Sequence, residues 1–303
     1  MKKVALALAS GGPRGFAYIG AIEELQSRGY TVNSVSGTSA GALVGGIYAA
    51  GGLQAFKEWL LGLDPVKIVT LMDFSLSKKY LVKGEKVIKE IRGVVPEVNI
   101  EDLPIPFTAV ATDLFTGEEV IFREGPLFEA IRASISIPSM FKPVKWKGRT
   151  LVDGGMVNTF PLNRVQRTPG DILVGFNVNQ IDAAEIQGFL DSRAALVEGR
   201  DSLSLKGRLL TDLEEMRLVA GGKEERLPVK AGDNYVTILQ RSFGIMNCTI
   251  ARMGIQLCPP DILVDLPFDS YHGVYGYTHA AEIVERGRAL MKEALDRYEG
   301  RNL

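Results

Sequence analysis

The sequence is poor in the residues that most often staple or metallate a fold. It has two cysteines, Cys248 and Cys258, and two histidines, His272 and His279, among 303 residues. Two thiols do not make a disulfide framework, and they fit a reducing compartment. The spacing C-x9-C-x13-H-x6-H matches no common zinc pattern, so no metal is expected. No other cofactor is expected either. Net charge is also missing: 35 Lys+Arg against 36 Asp+Glu leaves −1. That excludes a nucleic-acid binder working through bulk positive charge. No apolar run reaches the roughly 18 residues that a membrane span needs. No G-x-x-x-x-G-K-[ST] occurs, which removes a P-loop. Internal repeats and low-complexity linkers are absent. The remaining composition, 46% hydrophobic and 23% charged, is that of a globular chain rather than a disordered one. A chain of this length buries about three quarters of its surface without staples.

Glycine is what the sequence has in excess, with 33 residues, about 11% against a typical ~7%. Much of it falls in clusters at the ends of apolar runs. The N-terminus, MKKVALALAS, shares features with a secretory leader. Its apolar run, Val4–Ala9, is shorter than such a leader's core, and cleavage there would cut into the Gly-rich loop that follows. We read Lys3–Ala9 as a buried first strand, and the protein as cytoplasmic. A helix is expected over about Arg14–Arg28, with Phe16, Ile19, Ile22 and Leu25 on one face and Gly29 at its C-terminus. A strand at Thr31–Ser36 runs into Gly37-Thr38-Ser39-Ala40-Gly41 and a helix ending near Gly51.

The order β-α-β-α predicts a parallel sheet with helices on its faces. Further helices are expected at Leu53–Leu61, Glu85–Arg92 and Leu127–Ser134. Strands are expected at Phe107–Thr112, Glu119–Phe122, Val144–Trp146, Thr150–Val152, Asp171–Val178 and Ile262–Leu266. A last helix, Ala280–Tyr298, carries Val284, Met291 and Leu295 inward. Residues 182–232 read as a charged helical elaboration, with Lys223–Arg226 as a solvated loop. The whole is read as one α/β domain, 1–303. Its motif-bearing core spans 4–180. The elaboration, a closing strand and the C-terminal helix occupy 181–303.

Three stretches carry chemistry. Gly37-Thr38-Ser39-Ala40-Gly41 matches G-x-S-x-G, where a sharp strand-to-helix turn between small residues projects a serine hydroxyl outward. The bland alternative is a tight turn that only packs. Asp153-Gly154-Gly155 places a carboxylate at a strand end, well sited for a cleft, although Asp-Gly is also the commonest hairpin turn. Ser10-Gly11-Gly12-Pro13-Arg14-Gly15 joins a strand to a helix, where unpaired backbone N–H groups collect and can hold a phosphate or a developing oxyanion. A dinucleotide loop would want glycine where Ser10 stands, and an acidic residue ending the second strand. Pro13 has no N–H, so donors must come from Gly11, Gly12 or Arg14.

In this order and spacing the three stretches resemble the patatin-like phospholipase family, which has a Gly-rich loop after its first strand, a G-x-S-x-G elbow after the second and a D-G-[GA] motif over a hundred residues later. The segments ASISIPSMFKPV at 133–144 and VDGGMVNTFPL at 152–162 resemble the family's surroundings of the aspartate. The resemblance covers about residues 4–180, and the chain's end is similar to bacterial members related to neuropathy target esterase. The one departure is Ser10 for the first glycine of the loop. The resemblance implies a three-layer α/β/α patatin-like fold with a mainly parallel sheet. It also implies a serine lipid acyl hydrolase in which Ser39 is the nucleophile and Asp153 the base, without histidine. Gly37 and Gly41 form the elbow, and amides near Gly11, Gly12 and Arg14 hold the oxyanion. The Arg14 side chain either pairs with a phosphate or braces the loop.

The implied partner is a fatty-acyl ester lipid, met in transient contact with a membrane surface; no nucleic-acid partner is expected. An acyltransferase using the same acyl-enzyme and a non-catalytic lipid-binding scaffold are the competing readings. Trp59, Leu60, Leu61 and Leu63 are expected in the core rather than in a membrane patch. Phe243, Ile245, Met246 and Ile250 are expected in the core rather than along an acyl channel. Lys142, Lys145 and Lys147 read as a solvated edge, and both histidines as turn residues near the last helix.

Overall fold

The computed structural model describes residues 2–71, 84–138, 140–181, 235–268, 271 and 273–301. The region 182–234, including Lys223–Arg226, and His272 lie outside the described residues.

The strands are β1 (Lys2–Leu8), β2 (Tyr30–Thr38), β3 (Phe107–Asp113), β4 (Glu119–Phe122), β5 (Val144–Trp146), β6 (Arg149–Asp153), β7 (Ile172–Gln180) and β8 (Ile262–Pro267). They form one sheet in the order β5-β6-β3-β2-β1-β7-β8, with β4 paired to β3. The β3-β2-β1-β7-β8 pairings are parallel, and β4, β5 and β6 join antiparallel at the β3 end. The helices are α1 (Ala17–Ser27), α2 (Ala40–Ala49), α3 (Leu53–Leu61), α4 (Pro65–Leu71), α5 (Glu85–Val94), α6 (Leu127–Ser134), α7 (Tyr235–Leu257), α8 (Gly273–Thr278) and α9 (Ala280–Arg301).

β1 shows why the layers form. Successive side chains of a strand point to opposite faces. Val4, Leu6 and Leu8 therefore join the large core with Ile19, Ile22, Val284 and Met291 from α1 and α9. Ala5, Ala7 and Ala9 join a second core with Phe160, Leu162 and Ala251, the last from α7. Bulk on one face and alanine on the other let a helical layer and the 160–165 segment seat at different depths. On the first face α1 and α9 approach closely: a methyl group on Gly20 would sit 1.9 Å from the Val284 carbonyl oxygen.

The segment expected as a helix from Arg14 begins as a 3-10 turn, Gly12–Phe16, and becomes α-helical only at Ala17. Gly12, at φ 56°, turns the chain sharply before Pro13, so regular geometry starts a turn later. α4, α7 and α8 have no counterpart in the sequence reading. α7 is apolar on more than one face, which blurs its period. Its Cys248 and Ala251 are buried, whereas Ile245 and Met246, expected in the core, are 52% and 45% exposed. Phe243 and Ile250 are half-buried. Leu60 is buried, Trp59 and Leu63 pack partly buried against the core, and Leu61 is exposed. Cys248 and Cys258 are not joined in a disulfide. Among the described residues, no helix is long and apolar enough to cross a membrane.

Candidate active site

In open α/β sheets the cleft lies beyond the carboxyl ends of the strands, and the three motif stretches gather there. β3 brings two of them together along one of its sides. Thr38, which ends β2, pairs with Val110 of β3, and Asp153, which ends β6, pairs with the next residue, Ala111. β4 takes the opposite side of β3 at these residues, so β2 and β6 follow one another along the same side and Ser39 meets Asp153 where their ends adjoin. The Ser39 hydroxyl donates to Oδ2 of Asp153 at 2.5 Å.

Ser39 adopts φ 55°, ψ −118°, a sparsely populated backbone state that costs about 1–3 kcal/mol and survives only where its surroundings enforce it. The two flanking glycines make room. A methyl group on Gly37 would sit 2.2 Å from the Gly41 carbonyl oxygen, and one on Gly41 would sit 2.2 Å from the Leu8 carbonyl oxygen. The enforcing group is one the sequence reading missed. The Ser39 N–H donates to Oγ of Ser134 at 2.8 Å, and the Ser134 hydroxyl donates onward to the Val110 carbonyl at 2.6 Å. Two residues later the Ser136 carbonyl accepts the Asp153 N–H at 2.9 Å. One short segment at the end of α6 therefore braces both Ser39 and Asp153. A serine closing a helix carries no distinguishing pattern, so it was not legible beforehand. Ser134→Ala leaves a buried N–H and a buried carbonyl without that partner. It is expected to lower unfolding free energy by about 1–3 kcal/mol, read by urea unfolding.

Asp153 is 4% exposed. It ends β6 and is followed by a 3-10 turn, Gly154–Met156, rather than by a hairpin. Its Oδ1 accepts the Gly155 N–H at 2.7 Å. Burial pushes its pKa up from 3.8 to about 6, against the pull of the hydrogen bonds from Ser39 and Gly155. A carboxylate raised in this way is a competent proton acceptor near neutral pH.

The 10–15 loop lies beside both residues. A methyl group on Gly15 would meet Cβ of Ala40 at 2.5 Å, and Oγ of Ser10 would lie 3.1 Å from a methyl group on Gly155. Gly11 is held against β7, where a methyl group would overlap Val178 at 2.0 Å. Among the described residues the Gly11 and Gly12 N–H groups donate to no backbone carbonyl. The Arg14 side chain braces the loop. It is buried, its Nε donates to the Gly11 carbonyl at 3.1 Å, its Nη1 donates to the Phe268 carbonyl, and the guanidinium lies 4.5 Å from the centre of the Phe268 ring.

Other sequence candidates have partners of their own. His279 precedes α9, where its carbonyl accepts the Ile283 N–H and its ring meets the Thr278 hydroxyl. Lys142, Lys145 and Lys147 sit on and before the β5–β6 hairpin, facing Glu85, Thr150 and the Trp146 ring respectively. Among the described residues no group of three or more His, Cys, Asp or Glu side chains is placed to hold a metal ion.

The patatin-like phospholipase family model matches residues 6–165, which include all three stretches. An uncharacterized NTE family protein of Mycobacterium tuberculosis is 34% identical over 333 residues, covering 98% of this chain and 92% of that protein. The patatin-like phospholipase domain-containing protein 6 of Mus musculus is 27% identical over 196 residues, covering 62% of this chain and 14% of that protein. Among solved structures, VipD from Legionella pneumophila overlaps with a TM-score of 0.46 at 15% identity, covering 98% of this chain and 67% of that one.

Proposed function

The chain belongs to the patatin-like phospholipase family and is a lipid acyl hydrolase, and from that premise we propose that Ser39 and Asp153 alone perform its acyl transfer. Fatty-acyl esters of phospholipid, lysophospholipid or neutral lipid are the substrates, reached in transient contact with a membrane surface by a cytoplasmic single-domain enzyme. The observation that supports this most directly is the 2.5 Å hydrogen bond from the Ser39 hydroxyl to a buried carboxylate of raised pKa.

Ser39 Oγ attacks the ester carbonyl carbon while Asp153 Oδ2 takes its proton. The carbonyl oxygen becomes an oxyanion held by backbone N–H groups of Gly11, Gly12 and Arg14. Asp153 returns the proton to the departing alcohol, leaving an acyl ester on Ser39. Water then gives its proton to Asp153 as it attacks that ester, and the fatty acid leaves with Ser39 restored. Aspartate is a weak base at its ordinary pKa, and the raised value narrows the gap it must bridge.

The test is a turnover screen of neutral esters, lysophospholipids and diacylphospholipids with the full chain, alongside labelling by a fluorophosphonate. Fatty acid release by at least one class, with the probe mapped to Ser39, is the expected result. No turnover and no labelling across the panel would end the proposal. Ester exchange onto an added alcohol, with little free acid, would redirect it to acyl transfer. His279→Ala is expected to keep turnover within about 2-fold of wild type, as for a residue away from the reacting groups. A loss of acylation in that variant would point to a conventional triad.

A further inference from the structure

Three successive carbonyls of the Gly-rich loop are each tied down by a side chain. The Tyr18 hydroxyl donates to the Ala9 carbonyl at 2.6 Å, Asn179 Nδ2 to the Ser10 carbonyl at 2.7 Å, and Arg14 Nε to the Gly11 carbonyl at 3.1 Å. The peptide bonds here are trans, so each carbonyl points opposite to the N–H that follows it. Fixing the Ser10 carbonyl therefore fixes the direction of the Gly11 N–H.

The sheet order says which direction that is. β1 lies between β7 and β2. Asn179, near the end of β7, pulls the Ser10 carbonyl toward β7. The Gly11 N–H is thereby turned toward β2, whose end carries Ser39. Resting on the proposed Ser39 chemistry, we infer that Asn179 is a positioning residue that aims the Gly11 N–H at the oxyanion.

Two further observations support this role. Asn179 is 3% exposed, and among the described residues its Oδ1 is buried without a hydrogen-bond partner. A polar group left half-satisfied in the interior is costly, and an apolar side chain would avoid the cost. What the amide contributes in exchange is its Nδ2 donor to the loop. Its backbone is also anchored: the Asn179 N–H donates to Oδ1 of Asn177 at 3.0 Å, and Asn177 Nδ2 donates to Asp265 at 2.8 Å. The donor thus stands on a strand end that is itself tied to β8, as a supporting residue for a precise site should be.

The experiment compares wild type, Asn179→Leu and Asn179→Asp in the full chain. Leucine removes the donor and keeps the bulk, while aspartate keeps the shape and sets an acceptor against the Ser10 carbonyl. A misaimed oxyanion donor is expected to lower kcat by about 10- to 100-fold. KM should stay within about 3-fold, because the oxyanion exists only in the transition state. The affinity of a trifluoromethyl ketone, which forms an oxyanion on Ser39, should fall in step with kcat. The binding of a non-hydrolysable ether lipid should not. The inference fails if kcat is unchanged in both variants. It fails equally if KM, ketone affinity and ether-lipid affinity weaken together, or if neither variant folds by circular dichroism. Ser39→Ala in the same assays separates the two levels. Turnover or ketone inhibition surviving in Ser39→Ala sinks the dyad reading itself. Its loss there, with Asn179 variants unaffected, sinks only the role of Asn179.

Discussion

Ser39→Ala is expected to lower ester turnover by about 10⁴-fold or more, to abolish fluorophosphonate labelling, and to leave a folded but less stable protein. The catalytic loss follows from the absence of an acyl acceptor. Asp153 would have only bulk water to activate, without the positioned attack that an attached hydroxyl provides. The stability loss follows from what remains. Oδ2 of Asp153 loses the donor now 2.5 Å away, and a buried carboxylate stripped of a hydrogen bond costs about 1.5–3 kcal/mol. Alanine also inherits the φ 55° backbone of residue 39, so the strain of the elbow is not relieved. Chemical denaturation at pH 8 measures the second effect and a lipid turnover assay the first. Residual turnover above about a hundredth of wild type would mean that another group is the nucleophile.

The parts of this site that were legible beforehand are those where chemistry forces a residue type at a spacing. Gly37 and Gly41 must be small because Gly41 lies against the backbone of β1, and that demand is visible as G-x-S-x-G. The sheet was legible for a similar reason: β1 alternates large and small side chains because its two faces meet layers at different depths. The supports were not legible. Ser134, Tyr18 and Asn179 act through single hydrogen bonds to backbone atoms of residues 39, 9 and 10. Any residue with a donor or acceptor at the right distance would serve, so no pattern in the chain marks them. Arg14 was read as belonging to the loop, but its choice between phosphate and brace depended on Phe268, 254 residues away. α7 escaped because its apolar residues serve the sheet on one face and stand exposed on another, and a single-face period does not describe it.

Asp153→Asn is expected to reverse the stability consequence of Ser39→Ala while sharing its catalytic one. Asparagine fits the present contacts: Oδ1 still accepts the Gly155 N–H, and Nδ2 donates to the Ser39 oxygen where Oδ2 now accepts. It cannot take a proton, so turnover should fall by about 10³- to 10⁴-fold with the fold intact. In the wild type the carboxyl titrates at about 6 in the folded protein against 3.8 in an ordinary setting, chiefly because it is buried. The folded state therefore holds this proton more tightly than the unfolded one. The stability it lends is fully present below 3.8 and is lost as pH rises through about 6. At pH 8 the ionised group costs the wild type about 3 kcal/mol, a cost that asparagine does not carry. Urea unfolding should show Asp153→Asn more stable than wild type by about that amount at pH 8, and by about half of it at pH 5. Activity runs the other way, because only the ionised form accepts the serine proton. Wild-type kcat/KM should be flat above about pH 7 and fall near pH 5 to about a tenth of its plateau, whereas an aspartate titrating at its ordinary value would sustain turnover to about pH 4. An acid limb at the lower position, together with a destabilised Asp153→Asn, would mean that burial does not tune this carboxyl as the geometry implies. The same desolvation that would make Asp153 a usable base works, at neutral pH, against the fold.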